Sequence, residues 1–232
     1  SDPDSILPIP HNDGSHPDPS GGSRAVAGAG TGLGVGFLTE VDGTLISLPS
    51  EGGHSGFAPF DAQSEALHQY IAKRYDTAPG TELFLSGRGM AEIFNFFRDV
   101  KGMPLTNALK EIDRAEDKQK PPLITRHTPT DPGCRDIMKL FIRIYGHFAA
   151  RVSLFFLPRA GMYLAGGIVV RHAALFLEDN NFASAFENNY NPVMRKVLKS
   201  IPLYIVNDYS VSLLGAAHAA ANSADGSVGS RE

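Results

Sequence analysis

A single cysteine, Cys134, stands among 232 residues, so no disulfide can close within the chain. That fits a reducing compartment, and the lone thiol reads as a core or loop residue rather than a nucleophile. No apolar run comes near the ~20 residues that would cross a bilayer. The longest, "VSLFFLP" and "MYLAGGIVV", are core-sized. Dense cationic stretches are missing too: nothing exceeds "KQK", and the net charge is −4. Nucleic acid and membrane are therefore not expected as partners. The opening "SDPDSILPIP" has neither a basic region nor an apolar one, so it is not expected to be a signal peptide, and it reads as cut from something longer.

Glycine, by contrast, is concentrated. In "GAGTGLGVG" it takes every second position: Gly28, Gly30, Gly32, Gly34 and Gly36. The flanks read as strand, where side chains alternate between two faces, so one face is bare. Each internal glycine costs roughly 0.5–1 kcal/mol relative to alanine. The pattern implies something large lying against the backbone.

Residues 1–23 are rich in Pro, Gly, Ser and Asp and read as a linker or surface arm. A strand over 24–29, a turn at "TGLG", a return strand over 35–40 and a third strand "TLISL" after the "DGT" turn make a β-meander. Apolar spacing predicts helices in "AQSEALHQYIAKRY", "GMAEIFNFFRDVKG" and "LTNALKEIDRAED", the last with Thr106 as N-cap. "ELFLSG" reads as a short strand and 117–133 as a Pro-rich loop. A long buried helix is predicted up to Pro158. After it come the strand "GMYLA", a helical stretch to about 200, the strand "PLYIVND", a closing helix over 210–222 and a disordered tail over 223–232. The order of elements indicates an α/β fold, with the meander extended into a mixed sheet flanked by helices.

Two nucleotide motifs can be excluded. The dinucleotide fingerprint would need glycine where Leu33 stands, with a helix following, and no Gly-Lys-Ser/Thr triplet exists for a P-loop. What remains is a hairpin whose tip offers backbone N–H groups and the Thr31 hydroxyl, a concavity suited to phosphate oxygens. The competing reading is a plain tight hairpin.

Three further motifs follow in order: "LPSEGGHSGFAP", "ELFLSGRGM" and "YLAGGIV". Together with "GAGTGLGVGFL", over about Arg24 to Ala220, the series resembles the bacterial glucokinase family, of the actin-like ATPase (ribonuclease H-like) fold. The resemblance implies that Glu51, His54 and Glu82 bind sugar hydroxyls. A carboxylate can accept from two neighbouring hydroxyls, and a neutral imidazole can accept and donate. It further implies that Gly30, Thr31 and Gly32 contact the phosphates of MgATP and that Gly166 and Gly167 lie under its adenosine. No metal ligand is assigned within the chain.

Two parts of the family pattern have no counterpart. The first phosphate motif, Asp-x-Gly-Gly-Thr, and the Asn-Asp pair holding the catalytic base both precede the glycine hairpin in the family. "EVDGT" (Asp42, Gly43, Thr44) and "VNDYS" (Asn207, Asp208) imitate them, but in the wrong places. Residues 24–209 thus resemble the large C-terminal lobe of a two-lobed kinase, with the base expected from the small N-terminal lobe and the isolated lobe expected to be inactive. In the family the helix over 210–222 packs on that small lobe. Its apolar face (Leu213, Leu214, Ala217, Ala221) is therefore expected to be poorly ordered or buried in an oligomer contact, such as a homodimer. The expected activity is phosphoryl transfer from ATP to glucose in the cytoplasm, with glucose and ATP as small-molecule partners. A non-catalytic sugar-binding or regulatory module, and a purely structural lobe, are the alternatives.

Overall fold

The computed structural model describes residues 5–208. The calls on the closing helix over 210–222 and the tail over 223–232 lie outside the described residues. Among the described residues six strands form one sheet: β1 (Ile6–Ile9), β2 (Arg24–Ala29), β3 (Leu33–Val41), β4 (Thr44–Leu48), β5 (Met162–Ala165) and β6 (Leu203–Val206). Their spatial order is β1-β6-β5-β2-β3-β4. The meander β2-β3-β4 is antiparallel, β5 runs parallel to both β2 and β6, and β1 closes the far edge antiparallel to β6. A mixed sheet extended from a meander is what the sequence predicts.

Alternation sets the two faces of this sheet. Ala25, Ala27 and Ala29 of β2, Leu33, Val35 and Phe37 of β3, Leu164 of β5 and Leu203 and Ile205 of β6 are all buried. The opposite face carries Val26, Gly28, Gly34 and Gly36, none of them buried. Gly28 sits directly across from Gly34, and Val26 from Gly36. Gly28, Gly34 and Gly36 therefore leave that face of the hairpin bare except at Val26, on the side away from the core.

Nine helices accompany the sheet among the described residues: α1 (Ala62–Tyr75), α2 (Gly87–Asp99), α3 (Asn107–Arg114), α4 (Lys120–His127), α5 (Pro132–Phe156), α6 (Gly167–Arg171), α7 (Ala173–Leu177), α8 (Asn181–Glu187) and α9 (Pro192–Lys199). The central one is α5. Asp131 caps its N-terminus by accepting from the Cys134 N–H, Pro132 fits the first turn, and Leu157 ends it in the left-handed conformation before Pro158. Ile137, Phe141, Ile144, Phe148 and Val152 make the buried stripe along it. Each such side chain contributes about 1.5–3 kcal/mol by leaving water. Tyr145 donates its hydroxyl to the Ala27 carbonyl, tying α5 to β2. Cys134 is fully buried, and burial pushes its thiol up to about 12, so it is the inert core thiol expected.

Four local expectations are corrected. Within the supposed arm over 1–23, Ile6–Ile9 pair with Val206–Leu203 as the edge strand. The prolines at positions 8 and 10 suit a sheet edge, where a ladder donor is dispensable. The "TGLG" turn is shorter than predicted: Leu33 and Gly34 already belong to β3. "ELFLSG" is not a strand. Thr81–Leu83 form a 3-10 turn, and Ser86 caps α2 by accepting from the Gly89 N–H. The apolar run Leu83–Leu85 could be either strand or buried turn, and periodicity does not separate them. Finally, 117–133 is not a loop, because Pro121 and Pro122 lie in the first turn of α4, where backbone N–H groups are not needed.

His11 anchors the segment after β1. Its buried ring faces two acceptors, Glu187 Oε1 at 3.0 Å from Nδ1 and the Ile201 carbonyl at 3.0 Å from Nε2. The same carboxylate oxygen accepts from the Asn12 N–H at 2.9 Å. Lys199 Nζ stands 3.5 Å from Glu187 Oε2.

Two other histidines set an acid limit. His147 stacks on Phe60 with ring centroids 3.8 Å apart. Burial, then Arg143 and Arg151, push its pKa down to about 4. Burial and then Arg171 do the same to His172, also to about 4. Both rings are neutral in the folded state, whereas the unfolded rings titrate near 6.5. Between those values the unfolded state binds more protons, so the stability contribution is full above pH about 6.5 and is lost as pH falls toward 4. Asp61 and Asp131 are held below the usual carboxylate range, so their loss comes only at lower pH. The urea midpoint is expected to fall steadily through the histidine window, and His147→Phe is expected to flatten part of that slope. A midpoint constant across the window would contradict the assignment.

Candidate functional site

The site is organised around Leu33, the first residue of β3. Its N–H donates to Glu82 Oε2 at 3.0 Å. On its other side lies the 3-10 turn Gly52–His54, closed by the His54 N–H to the Glu51 carbonyl at 3.0 Å. A methyl group at Gly53 would stand 2.0 Å from the Leu33 carbonyl oxygen, so only glycine allows the turn to seat there. The Glu51 and Glu82 turns are also tied to each other. The Ser55 carbonyl accepts from both the Thr81 N–H at 2.8 Å and its hydroxyl at 2.9 Å, and Gly56 bridges Gly80.

Glu51, His54 and Glu82, distant in sequence, thus sit on two joined turns beside the hairpin tip. Glu51 and His54 are open to solvent, 91% and 65% exposed, with Oε2 and Nε2 3.8 Å apart. Neither is engaged in the core, and both are free to accept a ligand from the solvent side. Glu82 is half-buried on its turn rather than at the head of a strand as the sequence suggests.

The tip itself is Gly30-Thr31-Gly32, closed by the Gly30 N–H to the Gly32 carbonyl at 2.9 Å. Gly30 in turn accepts from the Gly87 N–H at 2.8 Å, which places the first turn of α2 against the tip. The N–H groups of Thr31 and Gly32 donate to no group among the described residues. A side chain at Gly30 or Gly34 would meet nothing within 4 Å, so this fold does not itself require glycine there.

Gly166 is different. It has φ +102°, and a methyl group would stand 2.3 Å from the Ala29 carbonyl oxygen. Packing of β5 against β2 therefore explains Gly166 without a ligand. Gly167 lines a cavity of about 650 Å³ together with Gly30, Thr31 and Gly87. The opposite wall is the first half of α4 and the turn before it: Asp117, Lys118, Pro121, Pro122 and Thr125. Arg88, Ile168 and Arg171 complete it. Hydrogen bonding from Lys120 holds the Asp117 carboxyl below the usual range, and Arg74 stands 3.1 Å from it.

Sequence reasoning misses this wall, because the α4 segment reads as a loop. The "KPPL" start, with proline in a first turn, is the signal that could have found it. The two imitations of family motifs resolve as expected or lie aside. Asp42 and Gly43, at φ +51° and +76°, form the β3–β4 turn. The Asn207 N–H donates to the Ser5 carbonyl at the start of the sheet edge.

A half-covered mixed sheet with an acid-and-imidazole cluster on one side of a glycine hairpin and a cavity on the other has the architecture of a sugar-kinase lobe of the actin-like ATPase fold. The comparisons agree. The family profile "Glucokinase" matches residues 10–223. The glucokinase of Nostoc sp. is 33% identical over 212 residues, covering 85% of this chain and 60% of that protein. The glucokinase of Shigella flexneri is 36% identical over 197 residues, covering 84% and 57%. Among solved structures, a glucokinase from an Antarctic psychrotroph superposes with TM-score 0.75 at 23% identity, over 96% of this chain and 64% of that one. Another, the Balamuthia mandrillaris glucokinase in complex with glucose, gives 0.66 at 20% identity, over 88% and 55%. The chain belongs to the glucokinase family. It spans about 60% of the length of the curated relatives it matches. No helix among the described residues is long and apolar enough to cross a membrane.

Proposed function

We propose that this chain is the sugar-binding large lobe, residues 24–209, of an enzyme that transfers the γ-phosphoryl group of ATP to glucose, in the cytoplasm. The observation that carries the reading is the meeting of the Glu51–His54 and Glu82 turns at Leu33, next to a glycine tip with undonated N–H groups. In this reading Glu51, His54 and Glu82 hold the sugar hydroxyls. Each charge-assisted hydrogen bond contributes about 1.5–3 kcal/mol. Gly30, Thr31 and Gly32 lie under the phosphates of MgATP, and the cavity behind them, reached by Gly167, takes the nucleoside.

The chemistry of phosphoryl transfer is mostly positioning and charge stabilisation, with Mg²⁺ supplying positive charge to the phosphates. This chain's part is to orient the acceptor hydroxyl and receive the phosphates. No carboxylate here corresponds to the family's base, so we assign the base and the first phosphate motif to the complementary lobe, the partner of this one.

Calorimetric titration of the chain with glucose tests the reading. Weak saturable binding is expected, and Glu82→Gln is expected to reduce it at least tenfold. A folded chain that takes up no glucose at millimolar concentration would leave the structural alternative in its place.

A further inference from the structure

The two edges of the sheet are built differently. At one edge β1 carries Pro8, with Pro10 just beyond it, and proline there discourages pairing with a further strand. At the other, β4 (Thr44-Leu45-Ile46-Ser47-Leu48) has neither proline nor charge, and all five of its residues are exposed. No strand among the described residues lies on its outer side. Asp42 and Gly43, both at positive φ, make a two-residue turn, so Val41 and Thr44 form a hydrogen-bonded pair and the ladder alternates from there. The backbone groups of Thr44, Ile46 and Leu48 therefore face β3, whereas the N–H and C=O groups of Leu45 and Ser47 point outward. Leu45, Ile46 and Leu48 are 50%, 41% and 40% exposed. Leu48 stands across from Phe37, whose ring stacks on that of the partly exposed Phe156 with centroids 3.3 Å apart. The apolar layer under the sheet thus runs out to this edge and stops uncovered.

We propose that β4 pairs with β4 of a second copy of this chain, antiparallel about a two-fold axis at Ile46, joining two sheets into one. This goes beyond the sugar-kinase reading and does not depend on it. Register is what selects a second copy. With Leu45 opposite Ser47 of the other chain, and Ser47 opposite its Leu45, each pair exchanges two hydrogen bonds and every outward group finds a partner. Sliding the strands two residues one way sets Leu45 opposite Pro49, which has no N–H. Sliding them the other way sets Ser47 opposite Gly43, inside the turn at φ +76°. One register uses the whole edge, and in it the strand is complementary to itself, as a two-fold contact requires. Ile46 then meets its own copy at a close, non-hydrogen-bonded position, and Thr44 lies beside Leu48. The axis stands perpendicular to the sheet, so the exposed Ile46 and Leu48 of both chains come together on one face. Five residues a side make a small contact, so the pair is a weak one.

Sedimentation velocity of the whole chain over a concentration series tests this, and a concentration-dependent dimer is expected. Ser47→Pro removes an outward N–H from each copy while sparing the ladder to β3, and is expected to weaken the dimer about tenfold or more. Ile46→Lys sets two ammonium groups face to face and is expected to leave only monomer. Circular dichroism on each variant fixes a temperature at which it is folded. Ile46→Cys gives a readout that needs no loss of binding. The two thiols would face each other across the axis, and oxidised glutathione is expected to convert them to a disulfide-linked dimer. Tyr190→Cys, 93% exposed and far from β4 in sequence, is the control, and the buried Cys134 does not compete. Four results would each overturn the proposal: a chain still monomeric at about 1 mM, a dimer that neither Ser47→Pro nor Ile46→Lys weakens, cross-linking of Ile46→Cys no faster than that of Tyr190→Cys, or open-ended growth beyond two copies.

Discussion

Replacing Glu51 by Gln is expected to lower kcat/KM for glucose about 10²-fold in enzyme carrying both lobes, with the melting temperature unchanged. The size follows from a carboxylate serving two hydroxyls, each bond contributing about 1.5–3 kcal/mol, of which the amide recovers only part. The unchanged melting follows from exposure: the Glu51 side chain is 91% exposed and makes no core contact to lose. An exposed loop carboxylate with no ligand would move neither quantity. The pair of measurements therefore separates the two roles, and an unaltered kcat/KM would remove Glu51 from the sugar site.

The second large effect concerns stability. His11→Ala is expected to destabilise the fold by about 1–3 kcal/mol, the usual cost of leaving a buried acceptor without its hydrogen-bond partner. Both ring nitrogens face oxygens, Glu187 Oε1 and the Ile201 carbonyl, and the ring is wholly buried, so its loss leaves both without this partner. Without it, the Glu187 carboxylate keeps the Asn12 N–H and a looser contact with Lys199. Glu187→Gln in the same background is expected to cost less than it does alone, because the contact the two share is already broken. Chemical denaturation of the two single variants and the double variant measures this. A loss under about 1 kcal/mol for His11→Ala would show that the pair contributes little.

The fold was largely legible where one pattern dominates. The stripe Ile137, Phe141, Ile144, Phe148 and Val152 reads as a helix, and the alternation through Ala25–Ala29 reads as a half-covered strand. Legibility failed where the deciding contact is remote. Nothing local in Ile6–Ile9 shows that β6, almost two hundred residues on, will pair with it. Thr81–Leu83 becomes a turn because the Ser55 carbonyl takes two of its donors. The sugar-site candidates were legible as motifs but not as a geometry. The role of Leu33 is invisible in sequence, since it acts through its backbone N–H and carbonyl and not its side chain. Gly166 was legible for the wrong reason: close packing against Ala29 demands it before any adenosine does.

That stretch of backbone at Leu33, its own N–H and its own carbonyl on either side of Cα, has a mechanical consequence. Its amide hydrogen is held by Glu82, and its carbonyl oxygen blocks the space over Gly53. The beginning of β3 is thus clamped from both sides, like an axle between two bearings. Any rocking of the glycine tip must drag one turn or the other, and any tightening of those turns must stiffen the tip.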